Sequence, residues 1–152
     1  MFFRGSTQRT LDPKGRLMLP VEFRDALGQW SPESECLGML TAWDDCIMVV
    51  PWPEWEKFET ELTKVPNPSP ALRDYCRRVI GGAEELQLDP QNRLRLSRTH
   101  MEDAGLSREV ILVGMLKRFE IWDVARYRQR TREKNFVEVH QELAEKGINT
   151  FW

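Results

Sequence analysis

One ten-residue stretch occurs twice. LDPKGRLMLP at 11–20 is echoed by LDPQNRLRLS at 88–97, and Asp12/Asp89, Pro13/Pro90, Arg16/Arg93, Leu17/Leu94, Leu19/Leu96 and Gly28/Gly105 all stand 77 residues apart. Farther along, Leu40/Leu112, Ile47/Phe119, Val49/Ile121 and Trp55/Tyr127 stand 72 apart, which places five extra residues in the first half, in the loop QWSPESE at 29–35. Matches that keep their order and include Pro and Gly identify an internal duplication. A chain of 152 residues buries about 70% of its unfolded surface, whereas half that length with four short strands is marginal alone and leaves sheet edges open. Two halves packed about a pseudo-twofold axis are therefore expected: a first half at 1–64, a linker and helix at 65–82, and a second half at 83–152 that ends in a helix.

In each half the turn is flanked by alternating stretches, TQRTL and RLML in the first, ELQL and RLRL in the second. They read as two period-two strands joined by a tight connection, with Leu17, Leu19, Leu94 and Leu96 facing inward. A short helix follows. In one copy it is opened by Pro20 and ended before Gly28; in the other it starts at Ser97 or Thr99 and stops before Gly105. Thr99 with Glu102 has the spacing of a capping box. CLGMLTAW with CIMVV, and EVILVGML with RFEIW, are dense in aliphatic and aromatic residues and look like the buried hairpins of a small barrel, with Asp44 and Asp45 in a hairpin turn. The period then becomes helical: Trp55, Phe58 and Leu62 on a helix begun near Pro53, Leu72, Tyr75, Cys76 and Val79 on one stopped by Gly81 and Gly82, then DVARYRQRTREK and a terminal helix using Phe136, Val137, His140 and Leu143. The expected class is mainly β with peripheral helices (α+β).

Within the turns, Pro13 presets the backbone and Gly15 takes a positive φ that most residues resist; Asn92 at the matching place is the side-chain-bearing residue that best tolerates it. Asp12 and Asp89 are placed to accept hydrogen bonds from turn amides or from the arginine four residues on. Asp12, Gly15, Asp89 and Asn92 thus organise the turns. Each Asp–Arg pair has two readings: a hairpin whose two side chains merely hold each other, or an arginine whose fork is preset by a carboxylate for a guanine edge or a phosphate. The density of cations favours the second. Arg4, Arg9, Lys14 and Arg16 face only Asp12 in residues 1–20, a net +3, and Arg93, Arg95 and Arg98 occupy the second copy. Strands carrying alternate arginines enter a major groove or lie across phosphates. Double-stranded DNA is the expected partner.

The formal net charge of -2 hides this asymmetry, since EWEKFETELTK at 54–64 is itself net -2. A partner attracted by charge would meet one face of the protein. A second basic run, Lys117 to Lys134, is net +4; it reads as a solvated face that pairs with acidic helices, or as a further nucleic-acid contact. Chemistry has little to build on: His100 and His140 stand in no HExxH or Cys/His cluster, and neither GxGxxG nor GxxxxGK[ST] occurs. No cofactor, metal or enzymatic activity is expected. Cys36, Cys46 and Cys76 are too widely spaced for a CxxC site and read as reduced and structural. Trp43, Trp52, Trp55 and Trp122 read as core rather than as a base-stacking platform. No apolar run approaches the roughly 20 residues of a membrane span, and the first residues lack a secretory pattern, so a cytoplasmic protein is expected.

Together with the opening MFFRGSTQRT and the segments VVPWPEW and RRVIGGAEELQLD, the two turns resemble the MraZ family of bacterial transcriptional regulators over nearly the whole chain. The resemblance implies two tandem AbrB-like swapped-hairpin domains forming a β-barrel within one chain, and a ring-shaped homo-oligomer. It implies binding, without a cofactor, to double-stranded DNA with short direct repeats upstream of the division and cell-wall gene cluster, usually as a repressor, in the cytoplasm and on the nucleoid. The family's signature, Asp then three variable residues then Arg, falls on Asp12 with Arg16 and on Asp89 with Arg93. The DNA-binding set implied is Arg4, Arg9, Lys14, Arg16, Arg93 and Arg95. The second copy departs from the fuller pattern, with Gln91 for Lys14, Asn92 for Gly15 and Ser97 for Pro20, which gives the first turn the larger share of binding and of its salt dependence. The alternative is a protein-binding or scaffolding module with secondary DNA contact, in which the helix bearing Trp55, Phe58 and Leu62 leaves part of its apolar stripe exposed.

Overall fold

Most strands of each half find a partner in the other half. The computed structural model describes residues 2–32, 35–132 and 136–151. Its strands are β1 (Ser6–Thr10), β2 (Arg16–Met18), β3 (Gly38–Trp43), β4 (Cys46–Pro51), β5 (Glu84–Glu85), β6 (Arg93–Arg95), β7 (Glu109–Gly114) and β8 (Phe119–Asp123); its helices are α1 (Val21–Trp30), α2 (Trp52–Thr63), α3 (Pro70–Val79), α4 (Arg98–Asp103), α5 (Val124–Thr131) and α6 (Val137–Glu145). Six strands form one sheet in the order β1-β7-β8-β4-β3-β5, and β2 and β6 form a separate two-stranded ribbon. The hairpins β3–β4 and β7–β8 are local, as the aliphatic runs predict, and Asp44 and Asp45 both take positive φ in the turn between β3 and β4. The antiparallel pairs β1–β7, β2–β6, β3–β5 and β4–β8 join the halves.

This corrects the expected local hairpin of TQRTL with RLML. The turn closes on itself, with Asp12 N–H donating to Arg16 O at 3.0 Å and Gly15 N–H to Asp12 O at 3.0 Å. The flanking strands then part, because β1 makes a five-pair ladder with β7 that a four-residue turn could not supply. ELQL likewise keeps only Glu85 in a strand, β5 against β3, plus a single bridge between Leu88 and Leu94. Helix takes more of the chain than strand does, so the class is mixed α+β rather than mainly β.

The core lies between the sheet and the ribbon's inner face and draws on both copies. Leu17, Leu19, Leu94 and Leu96 are all buried, together with Leu40, Ile47, Val49, Val110, Leu112 and Ile121. Phe3, Phe23 and Phe119 form an aromatic knot with ring centroids 4.8 to 5.5 Å apart. Such interlocking binds the two halves into one hydrophobic unit, and each buried Leu here stabilises by about 2–5 kcal/mol relative to Ala.

One helix boundary and one helix cap also differ from expectation. Helix α1 runs through Gly28 to Trp30: a mid-helix Gly costs only about 1 kcal/mol, which the burial of Phe23, Ala26 and Leu27 on the same helix outweighs. Part of the inserted loop is therefore helical, and residues 33 and 34 of that loop lie outside the described residues. The cap of α4 is Ser97, whose Oγ accepts from His100 N–H at 3.1 Å, rather than a Thr99–Glu102 box. Gly105, with φ +63, follows the end of that helix as predicted.

Candidate nucleic-acid interface

The β2–β6 ribbon pairs Arg16 with Arg95, Leu17 with Leu94 and Met18 with Arg93. Side chains alternate across a strand, and Leu17 and Leu94 are sealed in the core at 1% and 0% exposure. Arg16, Met18, Arg93 and Arg95 therefore share the outer face. The core itself aims the arginines outward.

Each turn holds its arginine in the same way. Asp12 Oδ1 accepts from the backbone N–H of Lys14 and of Arg16, both at 2.9 Å, while Asp12 Oδ2 accepts from Arg16 Nε at 2.6 Å. In the second turn Asp89 Oδ1 accepts from Gln91 and Arg93 N–H at 2.9 Å, and Asp89 Oδ2 from Arg93 Nε at 2.7 Å. The Arg16 backbone N–H foremost, with the Arg16 guanidinium and the Lys14 N–H, outweighs desolvation and holds the Asp12 carboxyl below its usual range; the Arg93 and Gln91 groups do the same for Asp89. Both carboxylates stay ionised and hold their arginines at Nε, with the Arg16 and Arg93 side chains 30% and 28% exposed. The two turns also approach each other, with an Arg93 terminal nitrogen 4.0 Å from Asp12 Oδ2.

Gly15 (φ +77) and Asn92 (φ +61) adopt the same left-handed conformation, as the sequence predicts. Their surroundings differ. Gly15 O accepts from Leu96 N–H at 2.8 Å, and a Cβ on Gly15 would lie 2.7 Å from Leu96 O. The first turn is thus pressed against the strand leaving the second.

Lys14, Arg16, Arg95 and Arg98 gather around a hollow of about 520 Å³ with Pro13, Ser97 and Met101. Arg9 joins the ribbon from β1, its Nε donating to Met18 O at 3.0 Å. Arg4 stands apart. It precedes β1, beside the Phe3–Leu116 bridge, and is set off from the strand by Gly5 at φ +81. Arg98 is the cation of this group that the sequence-derived site set omits; its signal is its place one residue after the α4 cap, where the strand's alternation has ended.

Three cations of the second basic run, Arg118, Arg126 and Arg130, are otherwise engaged. Arg130 reaches Asp44 at 2.8 Å and Asp45 at 3.6 Å, Arg126 reaches Asp45 at 3.6 Å, and Arg118 reaches Glu120 at 3.1 Å. The partners of these cations are the β3–β4 turn and a strand residue, not the acidic helices expected, because α5 packs on β7 and β8 and its Arg126 and Arg130 reach that turn; Glu133 and Lys134 lie outside the described residues. Trp55 and Trp122 are buried, whereas Trp43 is 37% exposed and packs edge-on to Tyr75. Among the described residues no group of three or more His, Cys, Asp or Glu is placed to hold a metal ion, and no helix is long and apolar enough to cross a membrane.

This duplicated Asp–Arg turn matches a known family. A family model described as "MraZ protein, putative antitoxin-like" matches the chain twice, over residues 2–78 and 79–146. The chain belongs to the MraZ family. It is 50% identical over 149 residues to a protein named Transcriptional regulator MraZ from Nitratidesulfovibrio vulgaris strain Hildenborough, covering 98% of both chains. It is 47% identical to the protein of that name from strain Miyazaki F, with 97% of each covered, and 38% identical to the one from Nitrosomonas europaea, over 82% of this chain and 83% of the relative. The twofold match of the MraZ model agrees with the repeat read from the two turns.

Proposed function

We propose that this chain is a sequence-specific, double-stranded-DNA-binding transcriptional regulator that docks the outer face of the β2–β6 ribbon on the duplex. The observation that carries the reading is the pair of buried-side leucines that turn three arginines to one face, two of them locked by Asp12 and Asp89. An arginine held at Nε by a carboxylate enters a complex with its fork already oriented, so less side-chain freedom is lost on binding. Lys14, Arg16, Arg93, Arg95 and Arg9 form the contact surface, with Arg4 reaching phosphates at its margin. The relatives' name, Transcriptional regulator MraZ, supports the regulatory role.

The finer reading follows the family. The exchanged pairings β1–β7 and β5–β3 support tandem AbrB-like swapped-hairpin halves in a barrel-like arrangement, divided as residues 1–64 and 83–152 around a 65–82 linker and helix. Copies of the chain assemble into a ring that sets identical ribbons against short direct repeats, and modest contacts on linked sites multiply through effective concentration. Occupying a promoter upstream of the division and cell-wall gene cluster represses it with no chemical step, in a cytoplasmic, nucleoid-associated protein. A gel shift with the DNA upstream of the chain's own gene, at two salt concentrations, tests this. Repeat-dependent, salt-sensitive shifts are expected; a folded oligomer that shifts none of that DNA would overturn the reading.

A protein-binding role is favoured by one observation: the largely apolar groove between α2 and α3, about 560 Å³, lined by Leu62, Leu72, Cys76 and Ile80. It stands second, because nothing in it singles out a partner as the ribbon's arginines do.

A further inference from the structure

The ribbon is symmetric in backbone and unsymmetric in charge. Register places Arg16 opposite Arg95 at one end and Met18 opposite Arg93 at the other. The first end continues into Lys14 on one side and Arg98 on the other, around one hollow. Lys14, Arg95 and Arg98 are exposed and make no ion pair among the described residues. Glu84 and Glu85 face Arg95 and Arg98 across a neighbouring hollow, but Glu84 lies 2.9 Å from His100 Nδ1 and Glu85 interacts with the Cys36 thiol.

At the other end the 77-residue repeat exchanges each of these free cations for a neutral residue. Gln91 stands for Lys14, Met18 for Arg95 and Val21 for Arg98. Met18 and Val21 are 45% and 55% exposed. Arg93 is tied to Asp89, Arg24 lies 3.5 Å from Asp25, and Arg9 donates to the carbonyls of Met18 and Gln8.

Resting on the DNA-binding reading above, we infer that the two ends of the ribbon divide the work of recognition. The Lys14–Arg16–Arg95–Arg98 end, assembled from both halves, neutralises phosphates. The Met18–Val21–Arg93 end reads bases, with Arg93 on a guanine edge and the Met18 and Val21 side chains against a neighbouring thymine methyl. Free cations contribute to affinity through counterion release, which is indifferent to sequence. Apolar contact with the thymine C5-methyl is one of the few ways an uncharged side chain distinguishes base pairs in the major groove.

The test uses duplexes captured by the wild-type chain from a random-sequence pool, then binding measured between about 50 and 200 mM salt. Arg95→Gln with Arg98→Gln is expected to flatten the slope of log K against log salt by about 1.8 per bound chain, near 0.9 for each lost phosphate contact, while base preferences persist. Met18→Gln is expected to keep the slope and to lower discrimination at one A·T pair about fivefold or more, with Met18→Leu retaining it. Circular dichroism checks that each variant is folded. Base preferences untouched by Met18→Gln, or a wild-type slope in the double arginine variant, would overturn the division of labour. A wild-type chain that captures no duplex would overturn the DNA-binding reading, and this inference with it.

Discussion

Asp12 Oδ2 lies 2.6 Å from Arg16 Nε, and its other oxygen accepts two backbone N–H groups, so a single carboxylate fixes both the turn and the arginine it presents. Asp89 repeats this toward Arg93. Both carboxyls titrate below their ordinary value of 3.8 in the folded protein, because the arginine and turn N–H groups favour the ionised form. A depressed folded value means that the contribution to stability is present above about pH 4 and is lost as pH falls through the folded value. Unfolding in urea followed from pH 5 down to about pH 2 should show stability falling on that limb. Asp12→Asn with Asp89→Asn should flatten it, and an unchanged acid limb would mean the turns contribute nothing there.

Gly15→Asn tests whether the two turns are interchangeable. Asn92 tolerates φ +61 in the second copy, yet a side chain on Gly15 meets Leu96 O at 2.7 Å. The substitution should cost about 1–3 kcal/mol, read from the urea midpoint. Asn92→Gly should cost no more than about 1 kcal/mol.

Thr41 Oγ1 donates to Val79 O at 2.7 Å in a fully buried position, tying the end of α3 to β3. Thr41→Val keeps the shape and removes the donor. A loss of about 1–3 kcal/mol in unfolding free energy is expected, with amide exchange at the α3 C-terminus rising before that of β7.

Cys46 is fully buried and its Sγ donates to Trp43 O at 3.2 Å; burial raises its thiol pKa far above the ordinary range, aided by the negative charges of Glu120 and Asp44. A thiol reagent at neutral pH should leave Cys46 unmodified in the native protein and label it only in denaturant. Cys36 and Cys76, both half-buried, should react first. Rapid native labelling of Cys46 would show that the β3–β4 turn opens readily.

How far the sequence reaches is set by the range of each interaction. The Asp12 and Asp89 turns, the positive φ shared by Gly15 and Asn92, and the inward Leu17 and Leu94 are all determined within five residues, and all were legible. Which strand pairs with which is decided by the whole chain: nothing near Ser6–Thr10 says that its ladder partner is Glu109–Gly114 rather than the strand after the turn. Helix α1 passed Gly28 because burial of Phe23 and Leu27 outweighed a local stop signal. Asp44 and Asp45 could be assigned to a turn, but their pairing with Arg126 and Arg130 depends on where α5 lands. At the site, Arg16 and Arg93 followed from the repeat, whereas the grouping of Arg95 and Arg98 with Lys14 arises only once β2 lies against β6.

The decisive experiment compares wild-type chain with Arg16→Ala on duplex DNA from upstream of its own gene, by fluorescence anisotropy at about 100 mM salt, with urea midpoints confirming that both are folded. A loss of affinity of about five- to one-hundredfold in the variant is expected, with a shallower salt dependence. Wild-type affinity in a folded Arg16→Ala chain would show that the outward face of the β2–β6 ribbon is not where this protein meets DNA.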